Sequence, residues 1–300
     1  MTSRRLTIFE GPDGAGKTTA AVAFAEATGA VYQHFGPLKN IRQTMPRLMV
    51  EAMLPALLGH QDVVLDRCWL SDRPYGEVYR GGLDRVGVAS GRMLERLALR
   101  CAATVMLCLP PWETARDNFL GRLDDEFLDN EAQLRHVYDH YAKLTTALPL
   151  TRYDYTQGPL QYSTIRSSRA HRLSTRSAGN LDAPVLVIGE AFAELQEHDP
   201  LYQWPFASFS DAGCSAWFTR QLEEAGVPES QLLWVNADQP LPSTVSIDTK
   251  VVALGRAAEA YAKRHSLFSA EVYPHPQAWK RFNRRKDYPA IEAIRRLSCS

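Results

Sequence analysis

The chain has 300 residues, 45% of them hydrophobic and 23% charged, and its 34 basic and 34 acidic side chains give a formal net charge of zero. This composition predicts a globular protein with room for two domains and excludes a general attraction to nucleic acid, which would need local basic patches. No apolar run reaches the roughly 18 residues that span a bilayer and no signal peptide is recognisable, so we expect a cytoplasmic protein. The five cysteines contain no CxxC pair, which predicts neither a disulfide framework nor a zinc or iron–sulfur site.

The first half of the chain alternates short apolar runs with segments of helical spacing. Strands are predicted at residues 6–9, 30–34, 62–65 and 103–109, and helices at residues 18–28, 41–58, 91–100 and 112–148, the last with a charged interruption at 122–126. Such alternation is typical of a mostly parallel sheet that is covered on both faces by helices. We therefore predict an α/β domain over residues 1–155.

The most informative segment of this domain is IFEGPDGAGKTT, residues 8–19, which matches the GxxxxGK[ST] phosphate loop between a predicted strand and a predicted helix. Backbone N–H groups of such a loop and the following helix N-terminus bind phosphates, a lysine reaches the β- and γ-phosphates, and a hydroxyl holds Mg²⁺. The alternative is a glycine-rich turn without a ligand. The pattern predicts ATP and Mg²⁺ as cofactors, with these binding residues: Gly11, Asp13, Gly14, Ala15, Gly16, Lys17, Thr18 and Thr19.

Four segments of the first domain resemble the thymidylate kinases and their deoxynucleotide kinase relatives: FEGPDGAGKTT, DRCWLSDRPY, TVMLCLPP and RDNFLGRLDDE. The resemblance implies a P-loop NTPase-type parallel sheet. It also places Asp66 and Arg67 beside the phosphoryl acceptor and Ser71 and Tyr75 in the acceptor pocket. Two further arginines would lie on the lid over the phosphates, Arg116 and Arg122.

The residue types agree with phosphoryl transfer, which needs positioned positive charge and a group that orients the nucleophile. Lys17, Arg67 and Arg122 are the candidate cations. Asp66 is the first candidate for binding Mg²⁺, together with Thr18, or for acting as a base, and Asp13 is the second. The alternatives are a salt-bridged pair at a strand end for Asp66 and Arg67, and solvated helix charges for Arg116 and Arg122.

The acceptor side departs from the thymidylate kinase pattern. The usual Arg-Glu-Pro-Gly loop is replaced by QHFGPLKN at residues 33–40, and the usual Ala-Tyr-Gln by Pro74, Tyr75 and Gly76. Free thymidine monophosphate is therefore questionable as the substrate.

A second α/β domain is predicted at residues 184–300, after a basic linker rich in Ser and Thr at 156–183 that could also follow a phosphate backbone. Its strands are predicted at 185–188, 232–235 and 251–254, and its helices at 215–225 and from residue 257. Ser215 is expected to cap the first of these helices and Gly226 to end it. Polar and glycine residues follow the strands, where an open sheet forms its binding crevice: Glu190, Asn236, Gly255 and His275.

The order of VLVIGEA, PF, WVNA, VVALGRAA and HP resembles the uracil-DNA glycosylase superfamily, which implies a three-layer α/β fold. The resemblance implies that Asn236 binds the edge of a flipped pyrimidine and that Phe206 stacks on it. His275 could stabilise negative charge on the base or be structural, and Glu190 is a further candidate for the base site. After His275, QAWKRFNRRKDY interleaves aromatic and basic residues as DNA-binding segments do, with Trp279, Lys280, Arg281, Arg284 and Arg285. The alternative is an amphipathic surface helix. Because the usual Gly-Glu-Ala-Pro-Gly turn is altered, we interpret this domain as a base reader that has lost cleavage.

Together the two domains suggest a kinase whose acceptor lies on DNA, because a base inside a duplex must be flipped out before an enzyme can reach it. The matching acceptor is the hydroxymethyl group of 5-hydroxymethyluracil, as in the DNA kinases of phages that hypermodify thymidine, which would place the protein in the host cytoplasm. Three alternatives remain open. They are a kinase acting on free deoxynucleoside monophosphate, an active glycosylase with an ATP-dependent accessory domain, and a sensor that binds ATP and a base but transfers nothing.

Overall fold

The computed structural model describes residues 5–36, 44–122, 128–160, 176–190, 203–207, 209, 212–283 and 287–299. The chain forms two compact units. The first unit comprises Thr2–Val86 and Cys101–Ala170, and the second comprises Gly87–Arg100 and His171–Ser300. Among the described residues, no helix is both long enough and apolar enough to cross a membrane.

Up to residue 160 the elements follow each other in the predicted α/β order. They are β1 (Leu6–Glu10), α1 (Lys17–Thr28), β2 (Val31–His34), α2 (Met45–Leu57), β3 (Val63–Asp66), α3 (Asp72–Tyr79), α4 (Gly87–Arg100), β4 (Thr104–Cys108), α5 (Trp112–Leu120), α6 (Glu131–Ala142) and β5 (Leu150–Tyr153). The predicted strands and most helices are present to within a few residues. Helix α3 and strand β5 were not predicted, and the long helix expected at 112–148 is two helices.

The first unit contains a five-stranded, fully parallel sheet with the strand order β2-β3-β1-β4-β5. Strands β1 and β3 are buried along their whole length, as expected for central strands covered on both faces. Phe9 pairs with Asp66 and Glu10 with Leu107, so the carboxyl ends of β1, β3 and β4 meet at one edge. The prediction of a parallel α/β sheet is confirmed, and its carboxyl edge carries the phosphate loop.

The second unit contains its own five-stranded sheet. Its elements are β6 (Ala178–Gly179), β7 (Val185–Gly189), α7 (Gly213–Glu224), β8 (Leu232–Asn236), β9 (Lys250–Leu254), α8 (Arg256–Arg264), β10 (Glu271–Tyr273), α9 (Pro276–Phe282) and α10 (Pro289–Ser298). The strand order is β10-β9-β7-β8-β6, and only β6 is antiparallel to its neighbour. An α/β second unit is therefore present, and its likeness to glycosylases stays a prediction.

Two features of this unit differ from the sequence expectation. Strand β6 lies within the segment expected to be a linker, residues 156–183, and pairs with β8 through Ala178 and Trp234. Helix α7 begins at Gly213 with Ala212 as its N-cap, so the prediction that Ser215 caps it is wrong. Gly226 does follow the helix, in the left-handed conformation that ends helices.

Helix α4 lies between β3 and β4 in the chain but belongs to the second unit. Its Arg92 and Arg96 donate hydrogen bonds to the buried carboxylate of Glu229, at 3.2 Å and 2.7 Å. The Arg96 guanidinium also lies 3.9 Å from the centre of the Trp234 ring. Residues 87–100 therefore supply part of the buried charge network of the second unit.

Candidate active site

The phosphate loop connects β1 to α1 and is fixed from behind by neighbouring backbone. Gly11 has a φ of 145°, and a Cβ atom there would lie 2.1 Å from the Cys108 carbonyl oxygen, so only glycine fits. The Asn118 side chain on α5 donates a hydrogen bond of 3.0 Å to the Gly14 carbonyl oxygen. The loop is thus in close contact with β4 and hydrogen-bonded to α5.

Lys17 opens helix α1 and is 6% exposed. Its Nζ donates a hydrogen bond of 2.5 Å to the Pro12 carbonyl oxygen, within the loop. Burial, together with the positive charge of Arg67, lowers the pKa of Lys17 to about 8. A phosphate bound in the loop would compensate these two cations.

Asp66 ends β3 and is completely buried. Its Oδ2 accepts hydrogen bonds from Tyr32 Oη at 2.9 Å and from His34 Nδ1 at 2.8 Å, while its Oδ1 accepts none of normal geometry from the described residues. Burial raises the pKa of Asp66, but the Thr18 hydroxyl and the Lys17 ammonium outweigh it and leave the pKa below its usual value. Asp66 is therefore an ionised carboxylate beside the loop, with one oxygen still able to accept a ligand.

Arg67 forms an ion pair with Asp13, and its guanidinium lies 4.7 Å from the centre of the Tyr75 ring. Its backbone has a φ of 70°, a conformation that costs energy for a residue with a side chain and persists where surrounding contacts hold it. Burial raises the pKa of Asp13, but Arg67 and Lys17 outweigh it, so Asp13 remains ionised. The loop carboxylate, Arg67 and Tyr75 therefore form one cluster.

Glu10 is a buried carboxylate at the end of β1 that sequence reasoning missed. It accepts hydrogen bonds of 2.7 Å from the Cys68 backbone N–H, the Ser71 hydroxyl and the Tyr141 hydroxyl. It thereby holds the segment after β3 against the carboxyl edge of the sheet. The available signal was an acidic residue that ends an otherwise apolar strand.

One cavity of about 800 Å³ in the first unit brings most of the predicted residues together. The predicted residues that line it are Asp13, Gly14, Gly16, Lys17, Thr18, Thr19, Arg67, Ser71, Tyr75 and Arg122. Gly11, Ala15 and Asp66 lie behind this lining, and Arg116 pairs with Asp117 away from it. Three charged lining residues were missed: Asp72, Arg80 and Arg85.

In the second unit, four predicted residues lie at adjacent strand ends. Asn236 ends β8 and is 3% exposed, while Glu190 and Gly255 follow β7 and β9, and His275 caps α9 just after β10. The His275 Nδ1 accepts a hydrogen bond from the Gln277 backbone N–H, and burial lowers the pKa of His275 more than the nearby Glu190 raises it. A neutral His275 would therefore carry its proton on Nε2.

Phe206 lies next to Asn236. A Cβ atom at Gly189 would be 2.7 Å from the Phe206 ring and 2.8 Å from Asn236 Oδ1, so this glycine leaves room for both side chains. The Phe206 ring also packs 4.9 Å from Trp234, centre to centre. An aromatic ring and an amide are thus adjacent at the end of the sheet.

The basic segment near the C-terminus is only partly described. Trp279 packs against Tyr288 with 5.6 Å between ring centres, and Lys280 donates a hydrogen bond of 3.0 Å to the Gly213 carbonyl oxygen. Arg281 is exposed. Arg284 and Arg285 lie outside the described residues.

No protein-family model matches this chain, and no curated protein matches it either. Solved structures match about half of it. They include the YorR protein from Bacillus subtilis in complex with phosphorylated GDP (16% identity, 51% of this chain, 86% of that chain, TM-score 0.41), a sugar kinase from Janibacter sp. HTCC2649 (19%, 54%, 90%, 0.34) and deoxyadenosine kinase from M. mycoides with bound dCTP (17%, 53%, 94%, 0.32). Similarity at these scores supports no functional argument, so we infer the function from the residues of the sites.

Proposed function

We propose that the first unit is an ATP-dependent phosphotransferase of thymidylate kinase type that acts on a thymidine-like pyrimidine deoxynucleotide. We further propose that its acceptor is the hydroxymethyl group of 5-hydroxymethyluracil in DNA. One observation supports this most strongly: Lys17 and Thr18 of the phosphate loop line the same cavity as Arg67, Ser71 and Tyr75. A bound triphosphate and an acceptor would therefore share one chamber.

The residues beside the loop fit Mg²⁺. The Thr18 hydroxyl and the unused Oδ1 of Asp66 are the hard oxygen donors that this ion prefers. Within the described residues no group of three or more His, Cys, Asp and Glu side chains could hold a metal ion, so phosphate oxygens and water would complete the coordination. Bound Mg²⁺ would neutralise charge on the β- and γ-phosphates.

In the proposed reaction the acceptor hydroxyl oxygen attacks the γ-phosphorus, the bond to the β–γ bridging oxygen breaks, and ADP leaves. Asp13, which lines the cavity, is proposed to take the hydroxyl proton. Asp66, whose Oδ1 accepts no hydrogen bond of normal geometry from the described residues, is proposed as the magnesium ligand. Lys17, Arg67 and Arg122 line the same cavity and would stabilise the charge on the transferred group.

The second unit is proposed to bind the flipped pyrimidine. Asn236 would recognise the base edge, Phe206 would stack on its face, and neutral His275 could donate its Nε2 proton to a base carbonyl. Glu190 adjoins His275 at the same strand ends. The exposed Arg281 and the residues around Trp279 would contact the DNA backbone.

Transfer of the γ-phosphate from labelled ATP tests the proposal with three acceptors: free thymidylate, unmodified DNA and DNA containing 5-hydroxymethyluracil. The proposal predicts label in the modified DNA alone, and its loss in Lys17→Ala. Label in free thymidylate would instead identify a deoxynucleoside monophosphate kinase. Abasic sites without label would identify a glycosylase, and ATP and base binding without either reaction would identify a sensor.

A further inference from the structure

Asp72, the first residue of α3, is a buried carboxylate that holds two arginines of the following loop. Arg80 Nη2 donates to Asp72 Oδ1 at 2.9 Å, and Arg85 donates to the same oxygen through Nε at 2.7 Å and Nη2 at 2.5 Å. The Arg85 backbone N–H donates to Asp72 Oδ2 at 2.7 Å. The Asp72 side chain is 0% exposed, whereas each arginine side chain is 21% exposed.

This arrangement depends on Gly76, one of the positions where the sequence departs from the thymidylate kinase pattern. A Cβ atom on Gly76 would lie 2.4 Å from the Leu83 carbonyl oxygen and 3.0 Å from Arg80 Nη2. The loop returns against α3 here, with Gly82 N–H donating to the Gly76 carbonyl oxygen at 2.9 Å. A side chain at this position would force the backbone at Leu83 to shift and would crowd the Arg80 guanidinium.

Arg80 and Arg85 contribute two guanidinium groups to the cavity lining. Asp84 acts on Arg80 in addition to Asp72. Among the lining residues that the structure describes, five lysine and arginine side chains face two aspartates. Tyr79 and Leu83 line the cavity beside the arginines and are 39% and 57% exposed, which adds an aromatic and apolar surface.

We propose that Arg80 and Arg85 form the subsite that binds the phosphate ester of the acceptor. A planar guanidinium group can donate two hydrogen bonds to phosphate oxygens. The buried Asp72 carboxylate orients the Arg80 and Arg85 side chains before a ligand binds. The donor triphosphate has its own site in the loop at residues 11–19, so this second cationic group is available to a different phosphate. The acceptor then enters as a nucleotide, with Tyr79 beside its sugar or base, and a nucleoside without phosphate is a poor substrate. This inference rests on the proposed function and specifies its substrate class.

The first test measures binding to the full chain, in the presence of a non-hydrolysable ATP analogue, by calorimetry with thymidine, thymidine monophosphate and a short oligodeoxynucleotide. We expect the chain to bind at least one of the two phosphate esters about 10- to 100-fold more tightly than thymidine, the size of a charged hydrogen bond. Arg80→Gln and Arg85→Gln should each remove most of this preference and leave thymidine and ATP analogue binding unchanged. Tighter binding of thymidine monophosphate indicates that the acceptor is a free nucleotide, and tighter binding of the oligodeoxynucleotide indicates that it is DNA. Either result supports the subsite.

Arg73→Gln is the matched control, because Arg73 lies on the same helix and its side chain is 71% exposed in a pair with Glu77. It should leave every affinity unchanged. Asp72→Asn tests the positioning role: it should raise the KM for the phosphorylated acceptor with little change in kcat. Equal affinity for thymidine and both esters would overturn the proposal, as would a loss in Arg80→Gln that is the same for all ligands.

Failure of the proposed function gives a different result. If no acceptor is phosphorylated but ester binding still depends on Arg80 and Arg85, the subsite stands and the kinase assignment falls. If transfer occurs but is independent of both arginines, the kinase assignment stands and the subsite is wrong.

Discussion

Replacing Glu229 with Gln should destabilise the second unit strongly, because this carboxylate is the centre of a buried charge network. It is 1% exposed and accepts hydrogen bonds from Arg92 Nε at 3.2 Å, from Arg96 Nε and Nη2 at 3.1 Å and 2.7 Å, and from Trp234 Nε1 at 3.2 Å. An amide keeps one acceptor oxygen and turns an N–H₂ group toward the remaining donors.

The size of the effect follows from what remains for Arg96, which is completely buried. Without the carboxylate charge its nearest acceptors are the Thr219 hydroxyl at 3.5 Å and the Phe206 carbonyl oxygen at 3.4 Å, and both are neutral. Losing about two charged hydrogen bonds at roughly 1.5–3 kcal/mol each agrees with the about 3–5 kcal/mol cost of breaking a buried ion pair. We expect the free energy of unfolding to fall by that amount.

Glu223→Gln is the matched control, because Glu223 accepts a hydrogen bond of 2.6 Å from the same Arg92 but its side chain is 55% exposed. Its loss should cost less than about 1 kcal/mol. Urea unfolding followed by tryptophan fluorescence measures both variants. Equal costs for the two substitutions would refute the reasoning.

The pH dependence gives a second check on Glu229. Burial raises the pKa of Glu229, but the charges of Arg96 and Arg92 outweigh it and hold the pKa below its usual 4.5. The stabilisation is therefore complete above about pH 4.5 and is lost as the pH falls through the lower folded pKa. The stability difference between the parent protein and Glu229→Gln should shrink on acidification, and a difference independent of pH would contradict this account.

Two further predictions concern the second unit. A fragment of residues 171–300 should fail to fold cooperatively, because helix α4 supplies the cations that compensate buried Glu229. Fusing residues 87–100 to this fragment should restore a cooperative urea transition. Cooperative folding of the shorter fragment would contradict the assignment of α4 to the second unit. Asn236→Ala should weaken binding of DNA containing 5-hydroxymethyluracil by about tenfold or more in a fluorescence anisotropy titration, since one amide can make two hydrogen bonds to a base edge. Asn180→Ala is its control, because the Asn180 amide donates to the Ser230 carbonyl oxygen at the amino end of β8. Unchanged binding by the Asn236 variant would remove that residue from the base site.

Sequence alone determined the parts of the protein that depend on neighbouring residues. The phosphate loop could be recognised because glycine spacing, a lysine and a hydroxyl follow each other within one turn between a strand and a helix. Strands such as β1, β3 and β8 could be predicted because continuous apolar runs are typical of strands buried on both faces. Strand ends then placed Asn236 and Glu190 at the carboxyl edge of the second sheet.

The tertiary structure decided which charged residues meet. Asp66 and Asp13 were both candidates for the base, and only the fold shows that Asp66 is buried against Tyr32 and His34 while Asp13 lines the cavity. Likewise Arg96 and Glu229 are 133 residues apart, and no local pattern records that they form one buried ion pair. Charged residues are recognisable in a sequence, but long-range packing decides which of them meet. Their burial then determines the free-energy cost of each charge and the need for an oppositely charged partner.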